Sequence, residues 1–304
     1  TEQCAASLSC LNPRVKWEGS RQAKGLHLKE AHSKLGLFSF PLQRLRMKAA
    51  PSGPSFPYKP FWKLLSETSM SGKAQRKLKV EGKELSSLPA ELFAFEDTRI
   101  LKMSPERESC LHYQMGFVPK EISHLMNLTA LYVDSNDLQE IPPEVGMLKN
   151  LKRLVLSNNV LCDLPLELEM LQHLQSIHLA NNSFTIFPSV VCRYPNLTFL
   201  DISDNKIEII PPTIDHLKNL ETFLLLFNGI NKLPEELCSL TKLHCLWLGN
   251  NNIRELPASF GNLAMLDWGD NYCSFNFHGN PLDNPPLDVC MGGPQQIKEY
   301  FSSS

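Results

Sequence analysis

Apolar residues recur along most of the chain with a period of 23. "LVLSNNVLCDLP", starting at Leu154, returns as "IHLANNSFTIFP", "LDISDNKIEIIP" and "FLLLFNGINKLP". Asparagines mark the period: Asn136, Asn159, Asn182, Asn205, Asn228 and Asn251. Apolar side chains stand eight, five and three places before each, such as Leu151, Leu154 and Leu156 before Asn159. A proline stands six places after each: Pro142, Pro165, Pro188, Pro211, Pro234 and Pro257. A fixed period of this length predicts a solenoid. Each unit is too small to bury its own apolar face, so neighbouring units stack.

The spacing also predicts the elements inside a unit. Apolar residues five and three places before the asparagine alternate, so they share one face of a short strand. Strands of successive units pair in parallel and line a concave face. The asparagine ends the strand, where its amide can donate to and accept from turn backbone groups that would otherwise be buried unpaired. The proline opens the return arm, where its fixed φ and missing N–H cost little. Apolar residues three and six places later, such as Val145 and Leu148, turn that arm inward.

Both ends are less regular. "LKVEGKELSSLPAELFAF" (78–95) fits the template with Lys83 at the asparagine position and Pro89 in register, which suits a capping unit. The next proline in register, Pro119, comes 30 residues later, so an insertion is expected between Met103 and Met115. Removing "GDNYCS" (269–274) restores the template near the C-terminus as Leu266, Phe275, Phe277, Asn280, Leu282 and Pro286. The total is about nine repeats, six of them regular. "GGPQQIKEYF" then predicts a short helix that starts at Pro294 and caps the last repeat, within 281–301. The fold class expected is an α/β solenoid, a horseshoe with parallel concave strands, over residues 73–304.

The LxxLxLxxNxLxxLP units and the ending "GNPLDNPPLDVCMGGPQQIKEYF" resemble the intracellular leucine-rich-repeat family of the 23-residue class, which includes Ras-pathway scaffold proteins. The resemblance covers Leu78 to Phe301. It implies a curved, non-enzymatic protein-binding surface, with signalling as the setting. A regulatory subunit or substrate adaptor of a phosphatase or ubiquitin ligase is the alternative. The partner is not implied, because members share a frame and differ at exposed positions.

Charge adds a second region. Residues 1–77 hold 14 Lys/Arg against 4 Asp/Glu, and the remainder holds 16 against 28. Residues 1–72 lack the repeat and read as a basic, largely disordered tail. "PSGPSFPYKPFW" within it reads as a disordered linker or as a polyproline II ligand for an SH3-type groove. Nucleic-acid or membrane contact by this tail is not favoured, because no binding motif accompanies the charge. Met70 directly precedes the capping unit, so a natural start there would make residues 1–69 foreign to the domain. Nine scattered cysteines without CxxC pairs suit reduced thiols in a cytoplasmic or nuclear protein. No apolar run approaches a membrane span, and no secretory signal is recognisable.

Candidate binding residues lie six, four and two places before each asparagine, on the solvent face of the strands. Tyr132, Arg153, His178 and Asp201 make the first half polar. Phe199, Leu224, Leu226 and Trp247 make the second half apolar, either as anchors for a protein partner or as a patch covered by the insertion or the tail. His178 and Asp201 should lie roughly 5 Å apart on adjacent strands. With no activated nucleophile evident beside them, a solvated pair is expected in place of a catalytic one. No cofactor, metal or small-molecule substrate is expected. Asn127, Asn181 and Asn196 match the glycosylation pattern, yet each follows from the repeat template. The ladder asparagines, with Asn280, are assigned a structural role.

Overall fold

A computed structural model describes residues 62–68, 74–80, 90–104, 115–266 and 275–303. Both insertions, Lys83, Pro89 and most of the basic tail lie outside these residues. The chain divides into two units, Thr1–Ser55 and Phe56–Ser304. All the described residues belong to the second.

Within that unit ten strands form one sheet in sequence order. Strand β1 (Trp62–Thr68) pairs antiparallel with β2 (Ala74–Val80). From β2 onward the pairing is parallel: β3 (Ile100–Lys102), β4 (Ala130–Tyr132), β5 (Arg153–Val155), β6 (Ser176–His178), β7 (Phe199–Asp201), β8 (Thr222–Leu224), β9 (Cys245–Trp247) and β10 (Phe275–Asn276). The parallel ladder is the one the alternation predicts. Strand β1 is a correction, because Trp62–Thr68 falls inside the stretch assigned to the disordered tail. The physical reason is an edge: β2 would otherwise leave a row of backbone donors and acceptors unpaired.

Most return arms are five-residue 3-10 helices that follow their proline directly, as in Pro143–Met147 after Pro142 (φ −67°) and Leu166–Met170 after Pro165 (φ −64°), while Phe260–Asn262 is shorter and starts after Ser259. Three-residue closure is visible in bonds such as Val145 N–H to the Pro142 carbonyl at 3.1 Å. Among the described residues, α-helices occur only at the C-terminal end: α1 (Leu287–Met291) and α2 (Pro294–Ser303). The leucines of the template form one continuous core. Leu151, Leu154, Leu156, Leu161 and Leu168, all in or beside one unit, have no exposed surface.

The asparagines stitch the units together. Asn159 Oδ1 accepts from Leu138 N–H at 3.1 Å, and its Nδ2 donates to the Val133 and Leu156 carbonyls at 3.1 and 2.9 Å. Asn136, Asn182, Asn205, Asn228 and Asn251 repeat this pattern. Asn280 does so across the second insertion, accepting from Ile253 N–H and donating to the Leu248 carbonyl. Phe275 pairs with Leu246, so the register resumes where the template places it. The residue before each of the six regular asparagines is left-handed, with φ from 52° to 61°. Ser, Asn or Asp fills five of these positions, and Phe227 fills the sixth.

A second ladder lies nine residues upstream of four of the first. Asn150 and Asn219 donate to the Met126 and Pro195 carbonyls, and Asn127 and Asn196 to those of Glu96 and Gln172. Thr129 and Thr198, the third residues of two glycosylation matches, bond to the Arg99 and Gln175 carbonyls. Those two matches are parts of the frame. Among the described residues no helix is long and apolar enough to cross a membrane.

Candidate protein-binding face

The pleat turns alternate residues of each strand away from the core. Parallel register then aligns them in rows. One row runs Lys102, Tyr132, Val155, His178, Asp201, Leu224 and Trp247. A second runs Ile100, Ala130, Arg153, Ser176, Phe199, Thr222 and Cys245. All the candidate residues except Leu226 therefore sit on these two rows, and Leu226 follows two places after Leu224.

Burial divides the face. Lys102, Tyr132, Arg153, Val155 and His178 are half-buried. Phe199, Leu224, Leu226 and Trp247 retain only 0, 2, 6 and 7% of their exposure. In the structure this apolar end is closed to solvent. Sequence period shows which way Leu224 points, but it cannot show what lies above it.

The boundary between the two halves carries the most unusual chemistry. The His178 ring stacks on Phe199 with centroids 4.5 Å apart. Desolvation, with a smaller push from the Arg153 guanidinium, lowers the His178 pKa from 6.5 to about 4. Asp201 is buried beside it, and burial raises its pKa from 3.8 to about 6 against the opposing hydrogen bonds from Ser203. The Ser203 N–H donates to Asp201 Oδ1 at 3.1 Å, and Ser203 Oγ accepts from the Leu226 N–H at 3.2 Å.

Sequence reasoning finds no nucleophile here, yet Ser176 Oγ lies 2.8 Å from His178 Nε2. The signal was available, since residues two apart on a strand share a face. Among the described residues no carboxylate completes a catalytic triad with this pair: Asp201 accepts from the Ser203 N–H and not from His178. Toward the N-terminal side the Arg153 guanidinium reaches within 3.5 Å of the Tyr132 hydroxyl. Asp134 accepts a hydrogen bond from the Ser104 hydroxyl.

The opposite side carries a shallow groove of about 680 Å³ between the 3-10 arms, lined by Met126, Met147 and Met170. Cys192, Cys238 and Cys290 are buried thiols with pKa values raised mainly by burial, and Cys162 is exposed. Among the described residues no cluster of His, Cys, Asp or Glu is placed to hold a metal ion.

Family models for the leucine-rich repeat match residues 126–184, 196–217 and 242–263. A solved leucine-rich-repeat protein of Leptospira interrogans is 32% identical, with a TM-score of 0.61 over 67% of this chain. The match spans 49% of that protein, so this chain corresponds to about half of its length. No curated protein matches.

Proposed function

We propose that this chain, a member of the leucine-rich-repeat family, is a non-enzymatic scaffold or adaptor that binds a protein partner through the polar end of its strand face, from Tyr132 to His178. The observation that carries this reading is the division of the face. Tyr132, Arg153, Val155 and His178 are partly open on a hydrogen-bonded parallel ladder, while Phe199, Leu224 and Trp247 are closed. Such a ladder presents side chains at fixed spacing with little conformational freedom left to lose on binding. Intracellular signalling is the setting this reading takes from the family resemblance.

The test compares two double variants of the full chain, each checked by circular dichroism. Tyr132→Glu with Val155→Glu alters the polar face. Ile186→Glu with Ile209→Glu alters exposed residues (79% and 67%) outside that face. The proposal expects the first to lose proteins captured by the wild type and the second to keep them. The reverse pattern refutes it.

A further inference from the structure

The polar end of the face holds cations that the fold does not neutralise. Among the described residues, Arg76, Lys120, Lys218, Lys232 and Arg254 each pair with a carboxylate. Arg153 and Lys102 pair with no carboxylate among the described residues, although both are half-buried. Partial burial makes an uncompensated cation costlier than it is in open water. Among the described residues, neither nearby carboxylate forms an ion pair with these two cations. Asp134 is bound by Ser104, and Asp201 is buried against Ser203 beyond His178. Around the Arg153 guanidinium stand the Tyr132 hydroxyl and, one strand on, the Ser176–His178 pair. His178 is uncharged at neutral pH, so it contributes hydrogen bonding and no counter-charge.

Lys102 on β3 and Arg153 on β5 are two strand spacings apart and offset by two residues along the strands, about 12 Å in all. An extended segment crossing the face covers that distance in about four residues, which returns its side chain to the same face. A planar guanidinium beside hydroxyl groups suits a carboxylate, which it can grip through two parallel hydrogen bonds.

We propose that the polar end of the strand face recognises an extended acidic segment of a protein partner, with one carboxylate on Arg153 and Tyr132 and a second, about four residues away, on Lys102. This deepens the function proposed above and rests on it. Strand-face binding supplies the location, and the two unpaired cations supply the chemistry.

The experiment is fluorescence anisotropy on the full chain with a labelled decapeptide of alternating glutamate and serine, beside its lysine–serine counterpart. The wild type should bind the acidic peptide, more weakly as salt rises, and not the basic one. Arg153→Ala should weaken binding about tenfold or more, since a half-buried hydrogen bond to a charged group is lost. Arg153→Lys should recover only part of it. Lys102→Ala should also weaken binding. Lys232→Ala, which removes a cation from outside this face, should leave binding unchanged. Absence of binding to the acidic peptide, or equal affinity for Arg153→Ala and wild type, overturns the proposal. The Tyr132/Val155 capture comparison, run on the same preparations, separates the two claims. Capture lost in that variant together with a failed peptide assay leaves the face as the site and rejects the acidic segment. Failure of both rejects both.

Discussion

Asp201 and His178 should make opposite contributions to stability as pH changes, and substitution of either should expose the other. Asp201 is 5% exposed, and its pKa rises from 3.8 to about 6 on folding. Between these values the folded state binds the proton more tightly than the unfolded chain. Stability therefore falls as pH rises from about 4 to about 6. Two pKa units correspond to roughly 3 kcal/mol. His178 runs the other way, because its pKa drops from 6.5 to about 4. Across that window the unfolded chain holds more protons, so stability rises with pH. In the wild type the two slopes largely offset.

Urea denaturation of wild type, Asp201→Asn and His178→Gln at several pH values between 4 and 7 reads this directly. Relative to wild type, Asp201→Asn should gain about 3 kcal/mol on going from pH 4 to pH 7. His178→Gln should lose stability over the same range. If the difference between Asp201→Asn and wild type stays constant with pH, Asp201 titrates normally and the argument for a desolvated pair at the boundary fails.

Three further outcomes test the frame. Asn205→Ala should destabilise the chain by about 3 kcal/mol or more in urea, since Phe184 N–H and the Leu179 and Ile202 carbonyls lose their buried partner; a loss below about 1 kcal/mol contradicts the stitching role. Phe227 sits at φ 52° where its equivalents are Ser, Asn or Asp, so Phe227→Asn should raise the urea midpoint, worth about 1 kcal/mol before the loss of phenyl contacts. Gly261→Ala would place a Cβ 2.7 Å from the Pro294 carbonyl oxygen, so α2 should lift from the last repeat and show faster amide exchange at Ile297, with unchanged exchange in β5.

The frame was legible because its residues have no substitutes. An amide at Asn159 or Asn280 meets donors and acceptors that a leucine cannot meet, so both the period and the resumption at Phe275 showed through an insertion. The second ladder, Asn127, Asn150, Asn196 and Asn219, keeps the same period with gaps at His173 and Lys242, and only Asn127 and Asn196 stand out in the sequence, as glycosylation matches. Strand β1 carries no repeat signal, since its role is to cover an edge. The closure over Phe199, Leu224 and Trp247 was illegible in a stronger sense. Alternation assigns a face to a side chain but carries no information on what packs over it. The desolvation of His178 and Asp201 belongs to that same boundary, and so does the contact between Ser176 and His178.

The most direct test of the account places a photocrosslinking amino acid at Val155, in the polar end of the face, and separately at Ile209, outside it, and irradiates cells expressing each full chain. The account predicts a discrete crosslinked protein from Val155 that is lost on Arg153→Ala, and none of that mass from Ile209. Crosslinking of the same protein from Ile209 but not from Val155 would contradict it.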